Sequence, residues 1–396
     1  MDEVDAPSSG SEITRRRFLE GAAVVGAAAI VPGIWTVEAD AATFPFIRRS
    51  GPSLLAGRKP WRLYGASIYG TSNPGGANNA NIDDIVALAR EAGLNTLRIV
   101  NFFEEGDLTT PTDPKVAPFR ESDWLRVDAI LATLRSNGMR AILDLSAFRN
   151  CLGAWLHRRW QDGLGPQMSP YHPDALPYWS SFIKYAAKRL NTVNGFRYKA
   201  DATIAIVSFA GEPDPPASAE PLRAASTQEL TDFYGSVFSM WRARDRKHLF
   251  SSGGLLQIDW EEVYGTPGGS GIDIDAIVGL AQHDVPSMHN YWAFDPPTQA
   301  NDFKTPKFSR ACAAVGKPWI TEEFGWLQGV GDQERADRFA LTFAIQDDPD
   351  PSPPGTIQGV PSSGVAFWNL GTEVDPGSHD VNPNTPATWE AVLDDS

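Results

Sequence analysis

The chain has 396 residues, 42% of them hydrophobic, which is enough for one large core; at this length a single α/β barrel is the main alternative to two or three domains. Its 49 acidic and 34 basic residues leave a formal charge of −15, which argues against nucleic acid or an anionic membrane as partner and is compatible with a neutral polymer. Cys151 and Cys312 are the only cysteines, so there is no disulfide framework and no cysteine-based metal site, and both are read as unpaired thiols.

The first 41 residues read as an address rather than as structure. A polar, acidic opening runs into Arg15-Arg16-Arg17-Phe18-Leu19 and then into the stretch GAAVVGAAAIVPGIW. Paired arginines before a weakly apolar, Ala/Gly-rich run resemble a twin-arginine export signal. The run holds about 15 residues, short of the ~20 needed to span a bilayer. Ala39-Asp40-Ala41 supplies small residues at the positions a signal peptidase reads, so cleavage before Ala42 is expected. Residues 42–396 then form an exported domain, secreted or extracytoplasmic, with no membrane segment in the mature form.

From about residue 55, strand-like runs alternate with helical patterns. The strand-like runs are 61–68, 94–102, 139–148, 203–212, 248–254, 284–291, 317–325 and 364–371. Between them lie helical stretches such as DDIVALAREAG, WLRVDAILATLRSNG and STQELTDFYGSVFSMWRAR. In the second of these Leu125, Ile130, Leu131 and Leu134 recur at helical spacing, and Asn137-Gly138 supplies a stop. Eight strands with interleaved helices predict a single (β/α)8 barrel. An open doubly wound sheet would announce itself with a glycine-rich phosphate turn, and none is found. Segments 70–80, 211–221, 264–272 and 350–364 are rich in Pro and Gly and read as loops. The 13 tryptophans serve either as core filling or, in part, as indole faces that stack on a ligand.

Two carboxylates close strand-like runs. Glu212 ends TIAIVSFAGE and is followed by Pro213; Glu323 ends KPWITEE and is followed by Phe324-Gly325. Acids at the C-terminal ends of barrel strands face the mouth where such folds keep their active sites. Hydrolysis of a glycosidic bond needs two such groups, one to protonate the leaving oxygen and one to attack or to activate water. In this order and spacing, LNTLRIVNF, AGEP, HNY, EEFG and AFWNLG resemble glycoside hydrolase family 5, over most of residues 60–370. The resemblance implies a retaining hydrolase with Glu212 as acid/base and Glu323 as nucleophile. It implies Arg98 as the residue that holds Glu323 ionised, Tyr291 as a donor to that carboxylate and His289 as a partner of Glu212 or of the sugar. Trp368 becomes the platform under the sugar.

Where the family carries Asn before the acid/base this chain has Gly211, and Asn101 or Asn290 is the expected substitute donor to the sugar. Strand alternation predicts that only one of Glu322 and Glu323 looks inward, with Glu322 turned out toward a loop or helix. Glu212 is expected to have a raised pKa, pushed up by the second carboxylate. The expected substrate is a β-1,4-linked polysaccharide, most of all mannan or glucomannan. Cellulase or exo-β-glycosidase action and a non-catalytic carbohydrate-binding barrel are the alternatives. No cofactor or metal is expected: the six histidines are scattered and a strand-one HxH is missing. A monomer that binds carbohydrate and neither nucleic acid nor membrane completes the reading.

Overall fold

The computed structural model describes residues 44–73, 81–102, 121–214, 225–255, 271–291, 304–349 and 358–395, all within the compact unit Ala41–Ser396. The expected export signal, and most of the segments 70–80, 211–221, 264–272 and 350–364, lie outside these residues.

Eight parallel strands carry the fold: β4 (Leu63–Ser67), β5 (Thr96–Ile99), β6 (Arg140–Asp144), β7 (Ile204–Ser208), β8 (Leu249–Ser251), β9 (Ser287–His289), β10 (Ile320–Glu323) and β11 (Gly364–Phe367). Their order is β8-β7-β6-β5-β4-β11-β10-β9. The two ends meet where Leu255 bridges Met288 and where Val285 N–H donates to Phe250 O at 3.0 Å, so the sheet closes as a (β/α)8 barrel. Each predicted strand contains one of these. Both faces of every strand are covered, which is why the runs read as continuously apolar rather than alternating. Leu97 and Ile99 of β5 enter the core beneath the helices, while Arg98 between them faces the interior.

The chain leading into the barrel adds a feature the sequence reading lacked. β1 (Ile47–Ser50), β2 (Ser53–Ala56) and β3 (Lys59–Pro60) form a small antiparallel sheet. Its Ile47 and Leu54 join Leu63, Ile142, Leu249, Val285 and Ile320 in one buried cluster. These barrel residues lie at or near the start of their strands, so the sheet plugs the N-terminal end and leaves the other end as the mouth.

Two local expectations are corrected. The third barrel strand stops at Asp144, because the Asp144 carboxylate accepts Ser146 N–H at 2.7 Å and the helix Ser146–Gln161 begins there. In the helix Glu121–Ser136, Trp124, Val127, Ile130, Leu131 and Leu134 form the buried stripe. Leu125, about 100° around the axis from Trp124, is 44% exposed. Cys151 and Cys312 are both buried free thiols.

Candidate active site

A layer of polar side chains lies at the C-terminal end of the barrel, organised around Arg98, which is 2% exposed. Its Nη1 donates to Glu323 Oε2 and, at 3.2 Å, to Ser67 Oγ. Its Nη2 donates to Asp144 Oδ2 at 2.5 Å, and its Nε lies 3.4 Å from Glu322 Oε1. Burial works against the cation, but Asp144, Glu323 and Glu322 together raise its pKa above the ordinary guanidinium value. A charge this deep is tolerated because it is paired on several sides. Tyr291 donates to the other oxygen of Glu323, Oε1, at 2.7 Å, so both oxygens of that carboxylate are fixed.

Glu322 does not turn outward. It is fully buried, with its carboxylate accepting from Ser208 Oγ at 2.5 Å and from Ser251 Oγ at 3.0 Å, hydroxyls at the inner ends of β7 and β8. The cause is a bulge. The register between β10 and β9 pairs Thr321 with Met288 and Glu323 with His289, which leaves Glu322 as an extra residue. Thr321 bonds Gln346 of the helix Asp332–Asp347, so alternation sends Glu322 inside. The extra residue then re-aims the next side chain as well, and both glutamates reach the interior.

Glu212 lies four positions beyond β7 with φ at 48°, a left-handed conformation uncommon outside glycine. Its N–H donates to Gly254 O at 2.8 Å. Its Oε1 lies 2.8 Å from His289 Nδ1, and the same nitrogen is 3.7 Å from Glu323 Oε2. The expected rise in the pKa of Glu212 is not found. Burial alone would raise it, but the hydrogen bond and charge of His289, with Arg98 and Arg149 beyond, bring it down to about 2. His289 moves the other way: burial would lower it, and Glu323 and Glu212 outweigh that and raise it. The proton of this pair therefore rests on His289.

Two glycines make this geometry possible. A Cβ on Gly254, at φ 96°, would lie 1.9 Å from His289 Cδ2, so the imidazole packs directly on bare backbone. A Cβ on Gly211 would lie 2.0 Å from Gly253 O and 3.0 Å from Ser146 Oγ. The family's asparagine thus has no room in this chain. Asn290 does not replace it, since its amide is buried and donates to Thr305 Oγ1 at 3.0 Å. Asn101 follows β5 with φ at 50° and, among the described residues, bonds neither glutamate.

Trp368, half-buried at the end of β11, stands 5.3 Å from the ring of Tyr69 at 43°. The two rings make an aromatic wall beside β10, the strand of Glu323. Among the other described tryptophans, Trp124, Trp179, Trp241 and Trp319 are fully buried and belong to the core.

Donor atoms of Glu212, His289 and Glu323 all lie within 4.8 Å of one another, the one grouping among the described residues close enough to hold a metal ion. These atoms already pair with each other and with Arg98 and Tyr291. Carboxyl groups about 5–5.5 Å apart suit a covalent double displacement, whereas inversion needs about 6.5–9.5 Å for an intervening water. The structure thus brings together Glu212, Glu323, Arg98, His289 and Tyr291. The sequence reading assigned no role to Asp144, Arg149, Tyr69 or the serines under Glu322.

No family profile matches the chain. Over 384 residues it is 24% identical to mannan endo-1,4-beta-mannosidase 2 of Oryza sativa subsp. japonica, covering 90% of this chain and 83% of that protein. It is 25% identical over 305 residues to mannan endo-1,4-beta-mannosidase 4 of the same plant, covering 70% of this chain and 62% of that relative, less than two thirds of it. The solved structure of the glycoside hydrolase family 5 mannosidase from Rhizomucor miehei superposes with a TM-score of 0.65 at 18% identity, over 89% of this chain and 97% of that one. The fold is that of these barrels, and the sequence resembles the mannan endo-1,4-beta-mannosidases, as the motif order implies.

Proposed function

We propose that this chain is a retaining glycoside hydrolase of the family 5 type that cleaves β-1,4-linked mannan or glucomannan, with Glu323 as nucleophile and Glu212 as acid/base. The observation that carries the proposal is that an oxygen of each carboxylate lies within 4.8 Å of the other, Glu323 held on both oxygens by Arg98 and Tyr291 and Glu212 hydrogen-bonded to His289. In the first step a Glu323 oxygen bonds to the anomeric carbon as the bond from that carbon to the glycosidic oxygen breaks. The leaving oxygen takes the proton of Glu212. In the second step Glu212, now a carboxylate, takes a proton from water, and the water oxygen displaces Glu323 from the sugar.

Arg98 and Tyr291 hold and aim the Glu323 carboxylate through its two oxygens. For the first step Glu212 must hold the proton that rests on His289. A sugar seated over the pair strips water from Glu212 and disfavours its charged form. The proton then shifts along the 2.8 Å hydrogen bond from Nδ1 to Oε1. Trp368 and Tyr69 offer aromatic faces to the apolar side of the sugar ring.

The choice of a mannan-type polymer rests on the similarity to plant mannan endo-1,4-beta-mannosidases. The proposal extends to export, based on the arginine-rich opening of the sequence. No helix of the described residues is long and apolar enough to cross a membrane. Reducing-end release from mannan, glucomannan, carboxymethyl cellulose and xylan, with Glu323→Gln beside the parent, tests the reading. Activity on a mannan-type polymer that disappears in the variant is expected. Cleavage of cellulose alone would move the substrate, and binding without any cleavage would make the barrel a carbohydrate-binding protein.

A further inference from the structure

Glu212 is unusual in how its backbone is held. From the helix Ser146–Gln161, Arg149 Nη1 donates to both Gly211 O and Glu212 O, the carbonyls on either side of the Glu212 Cα. Two successive carbonyls converge on one donor only when the residue between them is turned, and Glu212 sits at φ 48°. The rest of the segment is secured as well. Ala210 O accepts from Tyr234 OH at 2.6 Å, Gly211 N–H donates to Ser146 Oγ at 2.7 Å, and Glu212 N–H donates to Gly254 O at 2.8 Å. Asp214 N–H donates to Tyr171 OH at 3.3 Å, and Arg149 is itself steadied by Asn150 Oδ1 at 2.9 Å. Every other bond on the Glu212 peptides is made by backbone or by a neutral hydroxyl. Among the described residues Arg149 is the single charged donor to this segment, and it bridges the turn itself.

We propose that Arg149 is the positioning residue of the acid/base: its guanidinium fixes the left-handed turn that aims the Glu212 carboxyl group at the leaving oxygen. The proposal rests on the reading of Glu212 as acid/base. Arg149 bonds the two carbonyls and the side chains of Asn150 and Tyr171, none of which bonds Glu323, so its loss leaves the nucleophile's bonds intact and acts on the proton donor. A misaimed proton slows departure of a poor leaving group and spares a good one, whereas general loosening of the barrel slows both.

The test compares kcat/KM for mannohexaose and for a dinitrophenyl β-mannoside in the full chain, the Arg149→Met and Arg149→Lys variants, and a Glu212→Ala control. Arg149→Met should lose about 100-fold on mannohexaose, the scale of a small misplacement of a reacting group, and less than about 5-fold on the dinitrophenyl substrate, which needs no proton. Lysine keeps a cationic donor nitrogen but carries it on a shorter, flexible stem without the planar fork, so Arg149→Lys should show the same selectivity at smaller amplitude; it carries the test if Arg149→Met does not fold. Equal losses on both substrates in the Arg149 variants, with a selective loss in Glu212→Ala, would overturn the positioning role and leave the site reading standing. Equal losses in Glu212→Ala itself would overturn the acid/base assignment and the inference with it.

Discussion

Glu323 and Glu212 face one another across the same cleft, yet the protein grips them by different parts. Glu323 is held by its carboxylate: Arg98 and Tyr291 take its two oxygens, and its side chain is only 11% exposed. Glu212 is held by its backbone, through Arg149 on its carbonyls and Gly254 on its N–H, while its side chain remains 38% exposed. A nucleophile needs a fixed anion, so all its polar capacity is spent on side-chain donors. An acid/base must give up and regain a proton each turnover, so its carboxyl group stays open on one side and the aim is set from behind.

The contrast can be broken most severely at the nucleophile. Glu323→Gln should cost about 10⁴-fold or more in kcat, on the scale of losing a member of a catalytic triad, and should do so for good and poor leaving groups alike. A loss confined to poor leaving groups would mean that the two roles are exchanged.

The next effect falls on folding. Arg98→Met leaves Asp144, Glu322 and Glu323 buried around an apolar side chain, and removing one partner of a buried ion pair costs about 3–5 kcal/mol. Urea unfolding of the two variants side by side should show Arg98→Met far less stable than Arg149→Met, which takes a donor from carbonyls and from neutral side chains but from no buried carboxylate. Equal stabilities would show that Asp144 and Glu322 do not depend on Arg98 for their burial.

Tyr291→Phe removes one hydrogen bond to a charged group, about 1.5–3 kcal/mol, and should lower kcat/KM by about 10–100-fold for both leaving-group types. Selectivity between them would tie Tyr291 to Glu212 rather than to Glu323.

The smallest effect is a shift in pH dependence. Glu212 is depressed to about 2 and His289 is raised above its ordinary 6.5, so between those limits the pair carries one proton. Activity should fall as pH rises through the raised value of His289, where that proton is lost, placing the alkaline limb of kcat/KM above pH 6.5. In His289→Asn the acid must keep the proton alone, and the limb should drop toward the carboxylate range, about 4–5. An unmoved limb would remove His289 from the proton's path.

Much of this layout is legible in the residue order, for identifiable reasons. Buried parallel strands are long apolar runs with abrupt ends, so each predicted run contains its barrel strand. Arg98, Glu212, His289, Tyr291 and Glu323 stand at or just past those ends. What stays hidden depends on contacts between distant segments. Nothing in ITEE marks the bulge at Glu322, because the missing partner belongs to β9. Arg149 reads as an ordinary helix arginine until β7's exit is folded against it. Gly211 reads as a lost asparagine, whereas its neighbour Gly253, 42 positions away, leaves no space for one. The plug was within reach: Gly51-Pro52 and Gly57 punctuate SLLA as turns do, but strands this short carry little periodic signal.

Gly254 places a boundary on how this site can evolve or be engineered. It contributes no functional group, yet the first carbon of any side chain there would meet the His289 ring at 1.9 Å. A mutational map of the cleft should therefore find one of its least forgiving positions where the chain has no side chain at all. Libraries that spare only residues with chemistry would spoil the proton donor from the blank side.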